Sequence, residues 1–208
     1  AFTAAFTGNR EQRPGRVLFS SVAGLEAAQQ VVDFSRDCWG QEARRLVSRS
    51  EQGGVRNAYS EPQALGVDRW LAIVGAVARH GAPVVIWDLG TATTLDAVDN
   101  TGSHLGGLIL PGPATMLESL RRDTKLPVPD QPGTAAPKPG KNTEDAILNG
   151  LIAVQVGALN LFMKNVAGEL GAEAKLVVTG GAADALLPSL DFPCTHDPWL
   201  VFRGMLIP

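Results

Sequence analysis

From Asp68 to His80 the apolar residues fall at Trp70, Leu71, Val74, Val77 and Ala78. That spacing predicts a helix with one apolar stripe, stopped by Gly81 and Pro83. Val84 to Trp87 is apolar without interruption, as a buried strand requires, and Leu95 to Val98 alternates like the return arm of a hairpin. LGGLILPG at 105–112 reads as a further strand, so three strands follow one another as a meander rather than opening a βαβ unit.

On the N-terminal side, Arg16 to Val22 reads as a strand, Leu25 to Trp39 as an amphipathic helix and Arg45 to Ser48 as a second strand; a Gly-Gly loop follows at 53–54. On the C-terminal side, Pro113 suits the first turn of a helix carrying Met116, Leu117 and Leu120. Prolines at 127, 129, 132, 137 and 139 predict a loop between Leu126 and Lys141. Asn142 or Thr143 then caps a long helix to about Leu170, with Glu144 and Asp145 in its first turn. Its apolar positions wrap more than one face, which predicts burial by a second subunit as well as by the core. Lys175 to Thr179 is a last strand, and Gly180-Gly181 opens a helix. The order implies two α/β units, 1–81 and 82–208, with a boundary near Gly81 and no periodic repeat.

Composition narrows the function classes. With 208 residues, 45% of them hydrophobic, the chain can bury a sizeable core. A net charge of -3 without runs of like charge argues against a nucleic-acid groove or a polybasic membrane patch. The longest apolar runs are far short of a membrane span. Cys38 and Cys194 form no C-x-x-C pair, which favours a reducing, cytoplasmic setting, and His80, His104 and His196 have no zinc spacing.

Candidate chemistry gathers in three stretches. VIWDLGTATTLDAV (85–98) breaks a buried strand with Asp88, then Gly90 and a run of threonines. A Gly-Thr hairpin tip can cradle phosphate oxygens, and an acid at the strand end can hold a cation; an ordinary Asx turn uses the same residues. VVTGGAADAL (177–186) sets a Gly pair where a flat group such as a nucleobase can approach the backbone, or where a plain strand–helix turn is made. NAYSEPQALGVDRW (57–70) combines Tyr59, Gly66, Asp68 and Arg69 just before a helix. Asp68 can be an N-cap and Arg69 a solvated first-turn residue, or the pair can bind a carboxylate next to a proton acceptor.

Together NAYSEPQALGVDRW, DLGTATTLDAV with GGLILPGP, and NTEDAILNG resemble the signature segments of type III pantothenate kinases and the related Bvg accessory factor proteins, over about Val17 to Pro208. The resemblance implies two RNase H-like domains of the actin/Hsp70/sugar-kinase (ASKHA) fold, working as a homodimer on ATP and pantothenate. It implies a potassium or ammonium ion at Asp88, magnesium arriving with ATP, an ATP contact at Thr91 and a catalytic base at Asp68. Gly66, Val67, Asp68 and Arg69 form the substrate-binding run, with Tyr59 and Thr143 also against pantothenate. A regulatory, non-catalytic member of the same fold is the alternative. Family members begin with a strand ending D-x-G-N-[TS], and here only TGN at 7–9 stands near the start. Either residues before Ala1 carry that hairpin or this is a degenerate member that no longer binds ATP normally; the first is the favoured expectation, with a strand and turn before Ala1 and a chain of Ala1 to Pro208 alone poorly soluble and unable to bind ATP.

Overall fold

A computed structural model describes residues 14–21, 24–130, 136–171 and 173–208. The TGN at 7–9 and the whole opening stretch lie outside the described residues. The first layer is small: β1 (Val17–Phe19) runs parallel to β2 (Ala43–Arg45), with α1 (Leu25–Trp39) between them. Their core is Phe19, Ala28 and Ala43. The second strand lies earlier than the expected Arg45 to Ser48, because Ser48 turns inward and its hydroxyl donates to the Leu65 carbonyl at 2.7 Å. Gly53 and Gly54 form the tip of a short hairpin, β3 (Glu51–Gln52) with β4 (Val55–Arg56), which the sequence showed only as a loop.

The larger layer is a five-stranded sheet. Helix α2 (Val67–His80) leads into β5 (Val84–Leu89), β6 (Ala92–Val98) and β7 (His104–Pro111), the expected meander. α3 (Pro113–Asp123) and α4 (Thr143–Leu170) follow, then β8 (Lys175–Thr179), α5 (Ala183–Leu186), β9 (Thr195–His196) and α6 (Leu200–Met205). The strand order is β7-β6-β5-β8-β9, with β6 antiparallel to its neighbours and β5, β8 and β9 parallel. A meander of three continued by parallel strands is the sheet of an RNase H-like unit, as the ASKHA expectation requires.

Strand alternation assigns the two faces. Val85, Trp87, Leu89, Leu95, Ala97 and Val178 face α4, where Leu151, Ile152, Val156, Leu159 and Phe162 cover them. Val84, Ile86, Val98 and Val177 face α2, under Trp70, Ile73, Val74 and Leu200. The helix before Gly81 therefore shares its core with the strands after it. By length and composition α4 is apolar enough to cross a membrane, contrary to the expectation that no such segment exists. Interspersed Asn149, Gln155 and Lys164 hid this from a reading of uninterrupted runs. Its packed face shows a core helix of this sheet.

α2 and α6 cross with their backbones in contact. A Cβ on Gly75 would meet the Leu200 carbonyl oxygen and come within 2.9 Å of the Gly204 nitrogen; one on Gly204 would press on Leu71. Nearby, Trp70 donates from Nε1 to Gln52 Oε1 at 2.8 Å, and Gln52 Nε2 donates to the Ile207 carbonyl at 2.8 Å. The missed α6 is thus clamped to the helix that carries Asp68. Gly75→Ala is expected to cost about 1–3 kcal/mol, a fall in Tm on the order of 2–12 °C. Gly168→Ala, with nothing within 4 Å, is expected to leave Tm unchanged or slightly raised. Thermal unfolding of the two variants checks this; equal Tm values would show that the crossing is not tight.

Candidate active site

The polar end of the α2-facing sheet surface follows from strand register. On β5, Val84 and Ile86 enter the core, and the next residue on that face is Asp88. Asp88 pairs with Thr94 across β6 and with Thr179 across β8, while Asp96 lies opposite Ile86. Asp88, Thr94, Asp96 and Thr179 therefore share one face at the carboxyl end of β5. The hairpin tip beyond Asp88 is held from α3: the Thr91 carbonyl accepts from Gly112 N–H at 3.0 Å and from the Thr115 hydroxyl at 2.7 Å. Thr91 itself is exposed.

Helix α2 brings the second group. Gly66 is its N-cap and makes no side-chain capping bond, so Asp68 is not the cap. Asp68 is exposed, and its Oδ1 accepts from the Arg69 N–H at 2.8 Å. A Cβ on Gly66 would stand 2.8 Å from that same oxygen, which ties the turn to the carboxylate's position. Val67 is buried beneath the turn. Arg69 is not a solvated first-turn residue, for only 6% of its surface is exposed. Its Nε donates to Asp96 Oδ2 at 3.0 Å, Nη2 to Asp96 Oδ1 at 2.6 Å, and Nη1 to the Tyr59 hydroxyl at 3.2 Å. Burial alone would lower the Arg69 pKa; the hydrogen bond and charge of Asp96 outweigh it, with help from Tyr59, and the pKa is raised. The guanidinium is thus no free clamp. Its charge is spent on Asp96, and one N–H on each terminal nitrogen remains.

The Arg69 charge is committed to Asp96, and Asp88 receives no such relief. Asp88 is pushed up to about 6, first by burial and then by the charges of Asp68 and Asp96. The structure thereby brings Tyr59, Gly66, Val67, Asp68, Arg69 and Asp88 into one neighbourhood. Thr143 stands apart, exposed at the first position of α4 on the layer that covers the other sheet face; Asn142, not Thr143, is the cap, accepting from Asp145 N–H at 2.8 Å. Gly180, with φ at +94°, is demanded by the fold itself, since a Cβ there would lie 2.6 Å from Asp88 Oδ1 and from Leu89 N. Gly181 is open.

Sequence reasoning missed Asp96, His104, Gly107 and Thr115. The signal for Asp96 was an acid on the inward side of an alternating strand, which needs a buried cationic partner. Gly107 lies opposite Asp96, and a Cβ there would collide with Leu95 O and Asp96 Oδ1 and come 2.7 Å from Arg69 Nη2.

Residues 1–165 match the family model of type III pantothenate kinase. The type III pantothenate kinase of Alcanivorax borkumensis is 35% identical over 192 residues, 92% of this chain and 78% of that one. That of Halorhodospira halophila is 36% identical over 209 residues, 98% and 81% of the two chains. The chain belongs to the type III pantothenate kinase family. The crystal structure of a conserved Baf family protein from Campylobacter jejuni has the same fold, with a TM-score of 0.60 at 23% identity over 94% of this chain and 82% of that one.

The Asp88 pKa has a consequence for this family member's stability. Below the unfolded value of 3.8 both states carry the proton, and above about 6 both are ionised and the folded state bears the cost. Asp88 therefore withdraws stability as pH rises from about 4 to 6. Asp88→Asn is expected to raise Tm at pH 8 by a few degrees and to have no effect near pH 4, in melts without added potassium or nucleotide. A benefit that does not change with pH would show that Asp88 is not the strained charge.

Proposed function

We propose that the protein transfers the γ-phosphoryl group of ATP to the primary hydroxyl of pantothenate, giving ADP and 4′-phosphopantothenate, the first step of coenzyme A biosynthesis. The observation that carries the reading is an exposed carboxylate, Asp68, on the opening turn of α2, flanked by the Tyr59–Arg69 pair and near enough to Asp88 to oppose its ionisation. Asp68 takes the hydroxyl proton as the substrate oxygen bonds to the γ-phosphorus and the bond to the β,γ-bridging oxygen breaks. Such a transfer is chiefly positioning and charge stabilisation. Tyr59 and the spare N–H groups of Arg69 hold pantothenate, with the Gly66–Val67 turn behind them, and Thr91 meets ATP at the hairpin tip.

Asp88 suits a monovalent cation. It is a half-buried acid with surplus negative charge around it, and among the described residues no three His, Cys, Asp or Glu gather as a multi-carboxylate metal cage. Potassium or ammonium held there would supply positive charge beside the phosphates, and magnesium would come with ATP. The free thiols of Cys38 and Cys194 agree with a cytoplasmic setting. A regulatory role without catalysis leaves the exposed Asp68 beside a built substrate pair with no task, and the likeness to the Baf family protein is one of fold.

The homodimer reading finds support on α4. Gly150, Val154, Gly157 and Leu161 recur along one exposed stripe; Val154 and Leu161 are 47% and 57% exposed, and a Cβ on either glycine would meet nothing within 4 Å beyond the helix itself. A second copy of this helix can approach closely there and cover the apolar side chains. Thr143 opens the same helix, so pairing along it gives Thr143 a route to a neighbouring substrate.

Two measurements test these readings. In a coupled assay with ATP and pantothenate, Asp68→Asn is expected to cut kcat by at least roughly a hundredfold with Tm preserved; turnover within a few-fold of the parent would place the base elsewhere. In light scattering, the natural protein is expected to run as a dimer and its Leu161→Glu variant as a monomer. A monomeric parent would overturn the α4 pairing.

A further inference from the structure

Tyr59, Arg69, Asp96 and His104 form a closed ring of contacts. Arg69 grips both oxygens of Asp96. His104, with its side chain fully buried, meets Asp96 Oδ1 through Nε2 at 2.9 Å. The Ala58 N–H donates to His104 Nδ1 at 3.5 Å. Since Nδ1 is the acceptor, Nε2 carries the hydrogen and donates to Asp96; the neutral tautomer satisfies both ring nitrogens. The ring closes where the His104 imidazole stacks on Tyr59, with centroids 6.5 Å apart and planes 13° from parallel.

This ring fixes the polarity of Tyr59. Its oxygen accepts from Arg69 Nη1, so its own hydrogen is directed to another acceptor. Asp96 prevents the guanidinium from turning, and His104 fixes both Asp96 and the stacked face of the phenol. We propose that Asp96 and His104 are positioning residues that make Tyr59 an obligate hydrogen-bond donor to the phosphoryl-accepting substrate, so that this end of the site selects a ligand bearing an acceptor group such as a carboxylate or carbonyl. The proposal rests on the kinase reading for the identity of that substrate. Recognition then works by donation rather than net positive charge, because the only guanidinium in the ring is already paired with a carboxylate. A substrate whose own donor faced Tyr59 would leave two donors opposed in a half-buried site.

Tyr59 is the only tyrosine of the chain, so it can be observed alone. His104→Phe keeps an aromatic ring over Tyr59 and loses both hydrogen bonds, whereas His104→Gln can restore the donor to Asp96. His104→Phe is expected to raise KM for pantothenate by about tenfold or more, the loss of a hydrogen bond to a charged group, while KM for ATP moves by less than about twofold. His104→Gln is expected to recover most of that loss. Added to Tyr59→Phe, His104→Phe is expected to raise KM for pantothenate little further, because both act through one hydroxyl. Additive effects, or equal changes in both KM values, would reduce His104 to a structural residue and overturn the proposal.

A second readout is independent of turnover. In protein carrying tyrosine labelled with ¹³C at Cζ, pantothenate is expected to shift the single resonance in the parent and in His104→Gln, and to leave it in place in His104→Phe. A parent that phosphorylates pantothenate without moving this resonance would overturn the proposal and leave the kinase reading standing. A parent that moves the resonance without phosphorylating pantothenate would do the reverse. A parent that does neither would overturn both.

Discussion

The site depends on a buried ion pair between Arg69, near the start of α2, and Asp96, in the middle of β6. Burying two charges costs several kcal/mol per ion, and the pair is tolerable only because its geometry is complete. Asp96 receives two donors from Arg69 and a third from His104, and Arg69 finds the Tyr59 hydroxyl for a further N–H. Removing either charge would strand the other, at a cost of about 3–5 kcal/mol. The pair also fixes function by subtraction. It commits the Arg69 charge to Asp96, and so Asp88, already burdened by burial, bears the fields of Asp68 and Asp96 without relief.

The sheet beneath explains how one short strand serves both stability and chemistry. On β5 the α4-facing residues Val85, Trp87 and Leu89 stay apolar to the end, while the α2-facing series Val84, Ile86, Asp88 changes character at its last member. The apolar part anchors α2 through Trp70, Ile73 and Val74, and α6 locks that helix from the other side through the Gly75–Gly204 crossing. A helix held this firmly along its length can present an exposed acid on its first turn at a defined height above the strand ends. Asp197 fastens the same assembly at the far end. Burial would raise its pKa, but hydrogen bonds from His80 at 3.0 Å, from the Trp199 N–H and from Arg203 prevail and lower it.

Much of this was legible in the chain. Period-2 and period-3.6 patterns located α1, α2, the β5–β6–β7 meander, α4 and β8, because each carries a long apolar series. Asp88 stood out as a charge breaking an apolar run, and Asp68 and Arg69 as an acid and a guanidinium beside a turn at a helix start. The short β3–β4 hairpin and α6 were missed, for neither is long enough to show a period, and β2 was placed late because its two arginines are exposed and weaken its pattern. The fate of Arg69 could not be read, since its partner lies 27 residues away and only the packing of α2 on the sheet face that Asp96 shares brings them together. His104 was invisible too: it is one residue past a bulge between Ala97 and Val98, where simple alternation no longer predicts facing.

Gly107 shows what this arrangement demands of anyone altering the protein. A glycine inside a strand ordinarily weakens it, and a stability design would mark the position for a β-branched residue. Here the missing side chain is the space that the guanidinium and carboxylate occupy. Filling it would favour the strand locally while expelling the pair that orients the site. A choice sound for an isolated sheet would be damaging in this one, so improvement of the scaffold must begin away from β7.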